Sequence, residues 1–158
     1  MRARFRVLVV LLVAGLIFGA GPAPPAPAQP LRIIHIAMSS FKFEPDLFFV
    51  HEGDKVVLQL ENIDPQRNHN FDSPYLSQVE FTVTGQFKQG VSKDGTKYVF
   101  VEPRQKAEVT FVAKGHGQFG FVCSLFNHAA RGEVGAFVVW PAGYHPATRS
   151  VGDAGSAR

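Results

Sequence analysis

From Leu31 onward, apolar and polar residues alternate in short runs, the period-2 pattern of strands with one buried face. This pattern predicts strands at about residues 32–38, 47–51, 55–61, 106–113, 118–123 and 135–140. Glu52-Gly53-Asp54 reads as the turn between the second and third of these. The stretch 72–103 is less regular. Ser73-Pro74 suits the start of a short helical segment, 79–87 and 98–101 suit strands, and Lys93-Asp94-Gly95 suits a turn between them. With Gly85, Gly90 and Gly95 inside it, this stretch is expected to run as a long excursion over one end of a sandwich. The tail, residues 142–158, has few apolar positions and is expected to be disordered.

Composition supports the same class. Fifteen phenylalanines are interspersed with 15 glycines and 11 prolines, which favours short strands and turns over long helices. A chain of 158 residues with 46% hydrophobic content suits one compact domain and leaves no room for a second. The expectation is an all-β fold.

The first residues depart from this pattern. Arg2, Arg4 and Arg6 precede an apolar stretch over 7–20 and a small-residue exit ending Ala26-Pro27-Ala28, the layout of a secretory signal peptide. Cleavage after Ala28 is expected, giving a signal over 1–28, a folded domain over 29–141 and a tail over 142–158. The apolar stretch is shorter than the roughly 20 residues of a spanning helix, so retention as an anchor is the secondary reading. No cysteine lies near the cleavage point to carry a lipid. Losing those three arginines brings the 16 basic residues level with the 13 acidic ones. The calculated basicity therefore belongs to the signal, and a neutral domain lacks the footprint of a nucleic-acid binder. Localisation in the periplasm or outside the cell follows, with no stable membrane insertion after cleavage.

Cys123 is the single cysteine, and an exported chain cannot close an internal disulfide with it. It is free, paired with another chain, or bound to metal. It lies in Phe121-Val122-Cys123-Ser124-Leu125-Phe126-Asn127-His128, with Asn68-His69-Asn70-Phe71 far upstream. Together with the run Phe43-Glu44-Pro45 and Val50-His51-Glu52-Gly53-Asp54-Lys55-Val56, these motifs resemble the cupredoxins, the plastocyanin- and azurin-like copper proteins, over about residues 33–140. The Gly-Asp-x-Val turn is common; one histidine followed much later by Phe-x-Cys-x4-His and a closing hydrophobic strand is more specific.

The resemblance implies a Greek-key β-sandwich with its copper loops gathered at one end. It implies one mononuclear copper site cycling between Cu(I) and Cu(II), with His69, Cys123 and His128 as equatorial ligands. A soft thiolate and two imidazoles in a trigonal arrangement accept both oxidation states, so little rearrangement accompanies electron transfer. It also gives Asn70 the role of tying the two ligand loops together by hydrogen bonds.

One position departs from the family pattern. Where an axial methionine usually stands, five residues after the second histidine, this chain has Glu133. Three outcomes stay open: Glu133 binds as a carboxylate oxygen, it turns away and leaves a three-coordinate or water-bound site, or the loop shifts and brings another group. Met38, the only methionine after the signal, does not match the family position and reads as a packing residue. His35, His51, His116 and His145 read as structural or solvent-exposed. With no His-x-His pair and one cysteine, neither a trinuclear nor a binuclear copper centre can be assembled.

The function expected from this reading is a one-electron carrier and not an enzyme. Its redox partner proteins would dock transiently near His128, on a patch of Leu125, Phe126 and Phe71. A module for copper delivery, buffering or sensing is the alternative, and a small cuproenzyme with an open axial position is a more distant one.

Overall fold

The computed structural model describes residues 29–146. The expected signal and the end of the expected tail lie outside the described residues. Eleven strands follow one another: β1 (Leu31–Ser39), β2 (Lys42–Glu44), β3 (Leu47–His51), β4 (Lys55–Asn62), β5 (His69–Asp72), β6 (Phe81–Gly85), β7 (Lys88–Val91), β8 (Lys97–Val101), β9 (Lys106–Val112), β10 (Gly117–Val122) and β11 (Val134–Trp140). Two short 3-10 turns, Pro74–Ser77 and Ala129–Arg131, are the helical elements among the described residues.

One sheet runs β2-β1-β4-β9-β6 and the other β3-β11-β10-β5-β8-β7. β1 pairs with β4 and β3 with β11 in parallel, while the remaining ladders are antiparallel. This is a Greek-key β-sandwich, with strands that jump between neighbours distant in sequence, as expected.

The alternation seen in the sequence decides which face turns inward. In β4, Val56, Leu58, Leu60 and Asn62 are buried in turn, and β9 answers with Ala107, Val109 and Phe111. The second sheet, joined by Phe43 of β2 in the first, contributes an aromatic cluster. The Phe121 and Phe71 rings stack at 4.7 Å, Phe43 meets Phe121 edge-on at 5.0 Å, and Phe48 stacks on Phe137 at 4.9 Å. Such pairs add about 0.5–1.5 kcal/mol each beyond the area they bury. Phe121 fits because β11 carries Gly135 beside it; a Cβ there would stand 2.3 Å from the Phe121 ring.

The irregular middle of the chain is not an excursion over one end. Phe81 and Val83 pack on the core and place β6 at the edge of the first sheet, while β7 and β8 extend the second as an antiparallel pair. Ser73 caps the 3-10 turn at Pro74–Ser77, its Oγ accepting from the Tyr75 N–H. At the far end, Tyr144 meets Trp140 edge-on at 5.7 Å and its carbonyl lies 2.7 Å from His51 Nε2, so the first tail residues fold back onto the sandwich.

Candidate metal centre

Strand period carries two of the four site residues to the same place. Phe119, Phe121 and Cys123 lie at alternate positions of β10 and its continuation, so Cys123 points inward directly beyond Phe121. His69 and Phe71 alternate in the same way on β5, and the stacking of Phe71 on Phe121 sets His69 beside Cys123. The cluster therefore sits at one end of the sandwich, on top of the aromatic core.

The other two residues come from the loop after β10, which is closed by its own backbone. His128 N–H donates to the Leu125 carbonyl, Glu133 N–H to the His128 carbonyl and Cys123 N–H to the Glu133 carbonyl, at 3.0, 3.1 and 3.0 Å. Gly132, with φ +105°, takes the left-handed conformation that ends the 3-10 turn and sends Glu133 back toward Cys123. Asn70 ties this loop to β5. Its Oδ1 accepts from Ser124 N–H at 2.8 Å, its Nδ2 donates to Ser124 Oγ at 2.9 Å, and its own N–H lies 3.5 Å from Cys123 Sγ. The loop-tying expected of Asn70 is thus present.

His69, Cys123, His128 and Glu133 converge, with donor atoms all within 4.8 Å of one another. Cys123 Sγ is 3.3 Å from His128 Nδ1 and 3.9 Å from His69 Nδ1. Glu133 Oε1 is 2.6 Å from His69 Nδ1, and Oε2 is 3.2 Å from His128 Nδ1. All four residues are buried. The short contact to His69 does not have hydrogen-bond geometry, and both Glu133 oxygens are left without a hydrogen-bond partner. A carboxylate buried unpaired costs several kcal/mol unless something compensates it. These atoms aim at a common point and not at each other. Ligand atoms around a four-coordinate metal with bonds of 2.0–2.3 Å stand roughly 3.3–3.8 Å apart; the Cys123–His128, Glu133–His128 and Cys123–His69 spacings of 3.3, 3.2 and 3.9 Å lie close to that range, and the 2.6 Å between Glu133 and His69 would widen around an ion.

Burial sets the electrostatics. It pushes the Cys123 thiol up to about 12, opposed by the Asn70 and Leu125 N–H groups and reinforced by the Glu133 charge. It also lowers the His128 imidazole, helped by His69 and Arg67 and opposed by Glu133, which keeps that ring in the neutral form a metal requires. Beneath His69, the Asp64 carboxyl is buried, which alone would push it up. The N–H groups of Gln66 and Arg67, the Ser40 hydroxyl and the Arg67 guanidinium together hold it well below the usual carboxylate range.

The mouth of the site is aromatic. Phe41 meets the His128 ring edge-on at 5.0 Å, and the Arg131 guanidinium lies 3.5 Å over Phe41, with Arg67 at 5.7 Å. Phe126 is 95% exposed. Phe41 and Phe126 both hold positive φ, +64° and +50°, a conformation that costs non-glycine residues on the order of 1 kcal/mol or more each. Phe71, expected on the surface patch with Leu125 and Phe126, is instead buried by its stacking on Phe121, and Leu125 is only half-buried against the core. Met38 is buried in the core, and His35, His51, His116 and His145 stand outside the cluster. Asp64, Phe41 and Arg131 are neighbours of the site that the sequence did not single out. Asp64 lies in an Asn62-Ile63-Asp64-Pro65 turn, a pattern that signals a turn and says nothing of what the side chain faces.

No protein-family model matches the sequence, and no curated protein matches it closely. Similar solved structures include a sodium-dithionite-reduced auracyanin from the photosynthetic bacterium Roseiflexus castenholzii (TM-score 0.55, 17% identity, 72% of this chain and 100% of that one). They include auracyanin A, described as a "blue" copper protein of Chloroflexus aurantiacus (TM-score 0.52, 17% identity, 69% and 98%). A multicopper oxidase from Campylobacter jejuni also matches (TM-score 0.52, 13% identity, 73% of this chain), but over only 31% of its own length. The chain has the cupredoxin fold, and its buried cluster of His69, Cys123, His128 and Glu133 fits one mononuclear copper site.

Proposed function

We propose that the protein is an exported one-electron carrier that holds a single copper ion between His69, Cys123, His128 and Glu133. The observation that carries this reading is the buried convergence of a thiol, two imidazoles and an unpaired carboxylate on one point. Copper, when bound, supplies a Cu(II)/Cu(I) couple. The protein's part is to fix the donors before the metal arrives. The self-closed loop holds Cys123, His128 and Glu133, and the Asn70 bridge holds that loop against His69. A frame braced in this way resists the rearrangement that would slow electron transfer.

Glu133 sets the character of the couple. A carboxylate is harder than a thioether and carries charge, so together with the thiolate it neutralises Cu(II) and leaves Cu(I) in excess negative charge. A low reduction potential follows. Enclosure of all four donors supports retention of the metal over its rapid hand-off, which favours the carrier over a copper-delivery module.

Redox partners are proposed to dock at the mouth, where His128 is the donor residue nearest solvent and Phe126 stands exposed beside it. A small apolar patch suits short-lived encounters. Export rests on the signal-like first 28 residues and accords with the absence, among the described residues, of a helix long and apolar enough to cross a membrane.

The test is the visible and electron paramagnetic resonance spectrum after Cu(II) addition, followed by reversible voltammetry. An intense thiolate-to-copper band, lost in Cys123→Ser, together with repeated cycling without metal loss, is the expected result. A band with ready transfer of copper to a chelator would favour delivery. No band at all would remove copper from the account.

A further inference from the structure

His69 has two ring nitrogens, and the metal reading uses only one. Nδ1 faces Cys123 and Glu133, while Nε2 points the other way, fully buried and without a hydrogen-bond partner. The group in front of Nε2 is the Asp64 carboxylate, whose Oδ2 lies 3.7 Å away and whose side chain is likewise buried. We propose that Asp64 is a positioning residue for His69: its carboxylate takes the Nε2–H and so fixes the tautomer that leaves Nδ1 free for the metal. This rests on the copper-site reading above and deepens it.

The carboxylate is held for that task. Asp64 Oδ1 accepts from the N–H groups of Gln66 and Arg67, both at 2.9 Å, and Oδ2 accepts from Ser40 Oγ at 2.8 Å, with Arg67 Nη1 3.5 Å away. Its own N–H donates to Asn62 Oδ1 at 3.0 Å, and Asn62 Nδ2 is anchored to the carbonyls of Arg67 and Val101. The turn is held by these bonds, and Oδ2 still faces the unpartnered Nε2 of His69. At 3.7 Å the pair is not yet hydrogen-bonded; closing by about half an ångström brings it within ordinary range. A neutral imidazole carries one proton, so a metal on Nδ1 requires that proton on Nε2, where an unpartnered buried N–H would be costly. An acceptor there also raises the basicity of the coordinating nitrogen.

Asp64→Asn isolates the effect. The amide oxygen can keep the contacts to Gln66 and Arg67, which turns its NH2 toward the Nε2–H, donor against donor. Ser40→Ala serves as the second variant, since it removes a contact to Oδ2 while leaving the carboxylate in front of His69. Cu(I) and Cu(II) affinities would be measured by chelator competition, and the His69 ring by 15N-edited NMR of the Cu(I)-loaded protein.

The wild type and Ser40→Ala are expected to show a slowly exchanging Nε2–H. Asp64→Asn is expected to lose that protection and to bind Cu(II) at least about tenfold more weakly. Unchanged affinity with an equally protected Nε2–H in Asp64→Asn would overturn the role of Asp64 while leaving the copper site standing. If Asp64→Asn does not fold, an Nε2–H that is absent or exchanges freely in the wild type and in Ser40→Ala would overturn it by itself. Absence of a thiolate band in the wild type would overturn the copper reading, and this proposal with it.

Discussion

Glu133 Oε1 stands 2.6 Å from His69 Nδ1, both side chains sealed from solvent, and neither Glu133 oxygen has a hydrogen-bond partner. Folding brings a carboxyl group into the interior and leaves both its oxygens without a hydrogen-bond partner there, an arrangement that a bound cation would complete.

Replacing Glu133 by methionine removes one negative charge from the cluster. An opposite charge at roughly 4 Å in an environment of effective dielectric about 20 is worth about 4 kcal/mol. For a one-electron couple that corresponds to a rise in potential on the order of 100–200 mV. Voltammetry of the two proteins measures it, alongside a shift of the thiolate band. An unchanged potential and band would mean that Glu133 does not reach the metal.

Without metal, Cys123 should be inert. Its thiol is pushed up to about 12 by burial, and only the thiolate reacts with alkylating agents. The sign is fixed: a raised value keeps the group protonated at neutral pH. Near pH 7.5 the thiolate fraction is about a thousandth of that of an ordinary cysteine or less, and reaction should be slowed in proportion. The rate should climb about tenfold per pH unit as long as the fold persists, and unfolding should release it fully. Mass-spectrometric timing of iodoacetamide addition checks both points.

Copper should stabilise the protein markedly, because the unfolded chain cannot gather donors from positions as distant as His69 and Cys123. At free metal a hundredfold above its dissociation constant, the gain is about 2.7 kcal/mol. For a domain of this size that is roughly 10 °C in Tm. Calorimetry with and without a chelator reads the difference, and a Tm indifferent to copper would count against a site formed by the folded state.

Asn70→Ala cuts the tie between β5 and the ligand loop. Two hydrogen bonds to Ser124 are lost, and a cost of about 1–3 kcal/mol is expected in urea unfolding of the metal-free protein. Copper affinity should fall with it, since His69 and Cys123 are held on opposite sides of that tie.

Phe126→Ala should leave stability within about 0.5 kcal/mol, because the ring is 95% exposed. If the mouth beside His128 is the docking face, the variant should slow electron self-exchange between copies, followed by NMR line broadening at mixed oxidation states. Equal rates would move the docking face elsewhere.

What the chain discloses before folding is uneven. Strands with a strict alternation, such as β4 and β9, are visible to within a residue or two, because the period alone fixes their buried face. β2, β5 and β7 are not. They are three or four residues long, and β5 is buried on both faces, so no alternation marks it. His69, Cys123, His128 and Glu133 are pointed to by the family resemblance and not by spacing alone, and whether Glu133 turns toward the others depends on Gly132 and the loop's backbone closure. Phe71 shows the limit from the other side. Nothing local separates an exposed aromatic from one stacked on a ring some fifty residues later. Asp64 is hidden for the same reason, since a turn motif names the turn and not its neighbour.

The backbone bonds that close the segment from Cys123 to Glu133 upon itself make it a cassette. Three of the four proposed donors travel together in one stretch of chain, while the sandwich contributes only His69 and a floor of phenylalanines. Metal preference, potential and the lining of the mouth can therefore be rewritten by insertion, deletion or exchange within that single connection. The eleven strands beneath it need not change, so a lineage or a designer is free to try many electronic properties on one unaltered frame.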